Sequence, residues 1–165
     1  MSDAHRTTYL NDHLAGAVAA LELMEHLEKA YGEDDPSMAR FFAELRADVE
    51  ADRRTLESLM DRLHVDRSAT RQTTAWLAER AVRLKLRLDD PSGGPLRLLE
   101  ALETLGTGIH GKVALWCALA AAAERDPALR GTDYDALARR AEEQRARLEA
   151  VRLGAARAAL AGDSA

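Results

Sequence analysis

Met38-Ala-Arg-Phe-Phe-Ala-Glu-Leu-Arg-Ala-Asp-Val-Glu-Ala-Asp-Arg-Arg-Thr-Leu-Glu-Ser-Leu-Met-Asp-Arg-Leu63 decides the fold class. Phe42, Leu45, Val49, Asp52, Leu56, Leu59 and Leu63 recur there at alternating steps of three and four. That period puts them on one face of an α-helix, with a largely charged remainder on the other. One member of the seam, Asp52, is charged, and an unpaired carboxylate among apolar neighbours is costly. A core ion pair is therefore the expected state of Asp52, ahead of metal ligation.

Upstream, Leu10, Leu14, Ala17, Leu21, Met24 and Leu27 repeat the pattern and predict a helix over 5–30. The turn Glu33-Asp34-Asp35-Pro36-Ser37 separates it from the helix at 38–63, with Ser37 as the expected cap. Downstream, residues 69–88 read as a shorter helix capped by Ser68. In it Val82, Leu84, Leu86 and Leu88 alternate with Arg83, Lys85 and Arg87 in a strand-like period. Asp89 to Pro95 is the strongest break in the chain.

A helix over 95–125 follows, with Leu99, Leu102, Ile109, Val113 and Trp116 facing inward. Gly106, Gly108 and Gly111 lie inside it, and each interior glycine costs up to about 1 kcal/mol relative to alanine. Their clustering predicts a second backbone at close approach. The last helix, 134–160, buries Leu137, Ala141, Gln144, Leu148, Val151 and Ala155. Two long hairpins joined by about 30 residues imply an all-α bundle with a long crossover, of the ferritin-like kind; a simple five-helix up-and-down bundle is the alternative.

The 165 residues are 47% apolar but only 4% aromatic, and the 28 acidic and 23 basic residues are intermixed. One domain spanning residues 1–165 is expected, and a dedicated nucleic-acid binder is disfavoured. The longest uncharged apolar run, Val113 to Ala123, is about half the roughly 20 residues that cross a bilayer, so no transmembrane segment is expected. The N-terminal residues lack a signal-like apolar stretch, which makes the cytoplasm the expected compartment. Cys117, the single cysteine, reads as a small core residue.

Tyr9-Leu-Asn-Asp-His-Leu-Ala-Gly-Ala17 and Phe41-Phe-Ala-Glu-Leu-Arg-Ala-Asp-Val-Glu-Ala-Asp-Arg53 resemble the corresponding helices of ferritin-like bacterial stress proteins of the YciF type. The resemblance covers residues 9–63 and implies a ferritin-like four-helix bundle with an additional shorter crossover helix. It implies a Glu-x-x-His metal motif on the second helix, which falls on Glu50 and Arg53. A guanidinium is always protonated and is no metal ligand. No Glu-x-x-His occurs anywhere in the chain.

Three functions are weighed. The first is a non-catalytic helical protein acting as a homodimer or through a protein partner, in stress adaptation as the resemblance implies, without a cofactor. The second is an iron or manganese oxidase, peroxidase or store using Glu22, Glu50, Asp52, Glu103, His110 and Glu143. The third is a small-molecule or lipid-binding module with a pocket around Trp76, Trp116 and neighbouring leucines. A core polar cluster of His13, Asp52 and Arg53 is the expectation where no metal is held, and the basic stretch Arg80, Arg83, Lys85 and Arg87 reads as a solvated crossover.

Overall fold

The computed structural model describes residues 2–67 and 94–161. The expectations for Ser68, Trp76, the basic stretch at 80–87 and the short helix at 69–88 lie outside them. Four helices carry the described chain: α1 (Ser2–Gly32), α2 (Pro36–Arg62), α3 (Gly94–Ala123) and α4 (Tyr134–Leu160). A 3-10 turn, Pro127–Leu129, joins the last two. No strand occurs among the described residues.

Local chemistry sets the boundaries. Asp35 precedes Pro36, whose fixed φ suits a first helical position, and its carboxylate accepts from the backbone N–H of Ser37 and Met38. The α2 cap is thus Asp35 and not Ser37, whose hydroxyl donates to Asp35 Oδ1 at 2.6 Å. Asp133 caps α4 by accepting from Ala136 N–H at 2.9 Å. The α1–α2 turn is tight: a Cβ on Gly32 would lie 2.9 Å from Ala39 Cβ, so only glycine fits.

Two apolar clusters give the chain direction. Leu23, Met24 and Leu27 meet Phe42, Leu45 and Val49, the first half of α3 and Leu148 of α4. Leu10 and Leu14 meet Leu56, Leu59 and Met60, together with Leu115, Trp116, Leu119 and Tyr134. Helix α1 therefore runs from the second cluster to the first, α2 and α3 run back, and α4 runs forward again. This up-down-down-up order leaves Arg67 and Gly94 at opposite ends of the bundle.

The packing is a pair of hairpins, α1–α2 and α3–α4, with α1 also against α3 and α2 against α4. Across the second of these cross-contacts Asp48 pairs with Arg147, and Arg62 donates at 3.0 Å to Thr132, just ahead of α4. Arg6 ties the start of α1 to Asp126 beside the 3-10 turn at 2.8 Å. Helix α3 is long and apolar enough to cross a membrane by length and composition, and in the fold its inward face packs on the bundle.

Three side-chain expectations are corrected. Cys117 is exposed, because Leu115, Trp116 and Leu119 occupy the inward arc and the next 100° step turns it out. Val113 is half-buried at the edge of that arc. Of the three glycines, only Gly106 meets a neighbour, with a Cβ there lying 3.3 Å from Leu148 Cδ2. Gly108 and Gly111 face open space.

Candidate functional site

Between the two apolar clusters the inward stripe turns polar, one residue per helix: Asp52 on α2, Lys112 on α3 and Gln144 on α4. Asp52 is 2% exposed and Gln144 0%. Lys112 Nζ donates to Asp52 Oδ2 at 2.6 Å and to Gln144 Oε1, while Gln144 Nε2 donates to Asp52 Oδ2 at 3.0 Å. Arg140 reaches in one turn earlier on α4 and donates to Asp52 Oδ1. A buried carboxylate thus holds two cations, and the carboxamide closes the ring. Such a cluster is tolerated because the buried carboxylate, ammonium and carboxamide bond one another, although Arg140 Nε–H is left without a partner among the described residues. Burial holds the Lys112 ammonium below its ordinary pKa, and the adjacent Asp52 charge opposes that shift.

At the same level α1 carries Gly16, Ala17, Ala19 and Ala20, which are too short to fill the space across from α3. Gly108 and Gly111 extend the gap from the other side. The result is a cavity of about 290 Å³ between α1, α2 and α3, its wall predominantly apolar. Its apolar end is walled by Leu23, Met24, Leu45 and Leu105; its polar end by Asp12, His13, Arg53 and Trp116, with Asp52 and Lys112 midway.

Two of the residues that line the cavity each carry a buried polar atom without a partner among the described residues. Trp116 is 1% exposed, and its indole Nε1–H has no acceptor. Asp12 Oδ1 is buried without a donor. A buried group in that state costs about 1–3 kcal/mol. His13 lies edge-on to Tyr9, with ring centroids 4.7 Å apart. Burial lowers its pKa, and the neighbouring Asp12 charge pulls it partly back.

The expected polar cluster is placed differently from its sequence reading. His13, Asp52 and Arg53 all line the cavity, yet the partners of Asp52 are Lys112, Arg140 and Gln144. Arg53 turns along its own helix to Glu57 at 3.1 Å and Glu50 at 3.5 Å. Lys112 and Arg140 were the residues without a sequence assignment to this centre, whereas Trp116 lines the cavity as the pocket reading of the sequence has it. One signal was available: Lys112 sits three residues after Ile109 and four before Trp116, a lone charge on an otherwise apolar stripe.

The metal-ligand candidates do not assemble. Glu22, Glu103, His110 and Glu143 are exposed, Glu103 facing Arg152 at 3.4 Å; Glu50 is half-buried and paired. Only Asp52 reaches the interior, and the group it faces there is an ammonium. No set of three or more His, Cys, Asp or Glu side chains able to hold an ion occurs among the described residues. The six candidates form no such set. No protein-family model matches the chain, and neither does any curated protein or solved structure.

Proposed function

We propose that the chain is a ligand-binding helical module on a ferritin-like scaffold, taking a small amphipathic molecule at its waist. The observation that carries this reading is the cavity of about 290 Å³, its wall mostly apolar with a few ionisable side chains, two of whose lining residues hold an unsatisfied buried donor and acceptor. Pockets with mostly apolar walls and a few placed polar groups are the usual form of small-molecule sites. The up-down-down-up order with one long crossover supports the ferritin-like part of the proposal. The ion cluster then stands where such a scaffold would otherwise hold metal, and it rigidifies one wall of the site.

The test is a titration of the full chain with neutral N-phenyl-1-naphthylamine. A saturable single site with enhanced emission is expected, weakened at least roughly tenfold by Gly111→Leu, whose side chain projects into space open in the native protein. Ala17→Leu on the facing helix repeats the block independently. Absence of saturable binding to the native protein contradicts the reading.

Self-association is a second proposal with its own observation. Leu153 and Leu160, seven residues apart on α4, are 41% and 69% exposed, a spacing that puts both on one outward stripe. Sedimentation at high concentration decides it, and a protein that stays monomeric removes the homodimer.

A further inference from the structure

Resting on the proposed binding function, we infer that the occupant of the waist cavity is a single-chain fatty acid, its carboxylate at the Trp116–Lys112 end and its alkyl chain running toward Leu23 and Leu105.

Shape supplies the first argument. The wall on α1 extends from Asp12 to Met24, about 18 Å along a helix, whereas a sphere of the cavity's volume would be only about 8 Å across. A slot of that form suits one extended chain better than a fused-ring body. The far half is walled mainly by Leu23, Met24, Leu45 and Leu105, and the hydroxyl protons of Thr104 and Thr107 there are taken by the Glu100 and Glu103 carbonyls, so hydrocarbon suits that part of the cavity best.

Charge and hydrogen bonding supply the second. Trp116 Nε1–H is buried and without an acceptor. Lys112 has three N–H groups, of which Asp52 and Gln144 take two, leaving one. Asp52 also holds Arg140, so the cluster carries two cations on one carboxylate. An anionic acceptor answers all three features. The other cavity-lining ionisable groups are His13, Arg53, which is already engaged by Glu50 and Glu57, and Asp12, which opposes an anion and would favour an amine. Trp116 Nε1–H and the third Lys112 N–H are two donors on neighbouring turns of α3, and that pair selects the carboxylate over an amine.

The experiment compares dodecanoate, dodecanol and dodecylamine, each below its aggregation threshold, as competitors of N-phenyl-1-naphthylamine on the full-length native protein. Dodecanoate is expected to displace the probe at a concentration roughly tenfold or more below that of dodecanol, the value of one hydrogen bond to a charged group. Lys112→Met and Trp116→Phe should each bring the ratio of dodecanol to dodecanoate displacement concentrations close to one; the second keeps an aromatic ring in place and covers the case in which the first fails to fold. Dodecanol or dodecylamine matching or exceeding dodecanoate overturns the inference while the binding function stands. Failure of the neutral probe itself to bind would instead remove the binding function.

Discussion

Asp52 holds two cations, so the charge balance of the interior hangs on one side chain. Asp52→Asn leaves Lys112 and Arg140 without their counter-charge, and breaking a buried pair in this way costs about 3–5 kcal/mol. Urea denaturation should show that loss. The triple change Asp52→Leu, Lys112→Met and Gln144→Leu should recover most of it, since apolar side chains replace the buried polar ring and Arg140, 39% exposed, keeps access to solvent. Arg53→Ala, by contrast, removes half-exposed ion pairs along one helix and is expected to cost at most about 1 kcal/mol. His13 adds a pH dependence. Its folded pKa lies below the ordinary 6.5, so the unfolded chain binds the proton more readily, and its contribution is complete above that value and lost as pH falls through the folded one. Denaturation midpoints measured from about pH 7.5 down to about pH 5 should fall, and fall less in His13→Gln. Asp52 was legible in the sequence because it broke a regular apolar seam. Lys112 was not singled out, because it follows three glycines that blur the stripe it belongs to, and no periodicity reports which helix lies opposite a given residue.

Element boundaries were legible for a simpler reason: a three-four repeat of Leu, Val and Phe, ended by Pro, Gly and Asp, states a helix and its limits locally. The predicted helices at 5–30, 38–63, 95–125 and 134–160 differ from the observed ones by a few residues at their ends. The cap of α2 was misplaced by two positions, since Asp35 and Ser37 are both good caps and only the geometry around Pro36 chooses between them. The glycines of α3 misled more deeply. Low-volume residues are consistent with a close backbone or with a hole, and composition does not distinguish the two. Gly108→Ala and Gly111→Ala should each stabilise the protein by up to about 1 kcal/mol, because the added Cβ meets nothing and the unfolded chain loses freedom. At the end of α2, His64 sits at φ 53, a left-handed conformation that costs a side-chain-bearing residue about 1–2 kcal/mol. His64→Gly should therefore raise the denaturation midpoint.

At the scale of the molecule, each of three helices places one polar residue at the same level of the bundle, while α1 places alanine and glycine there. The polar residues join into a ring and the small ones leave a void beside it. Neither consequence can be read from a single helix, since both depend on the up-down-down-up order that brings residue 52 to residues 112 and 144. The same order explains why the core divides into two clusters with an amphipathic slot between them. The most direct test uses the Trp76→Phe protein, in which Trp116 is the sole indole. Titration with dodecanoate should shift its emission along a saturable single-site curve, and Gly111→Leu in the same background should abolish the response. An indole emission that stays constant through the titration, in a protein whose helicity is unchanged, would contradict a ligand site at the waist of this bundle.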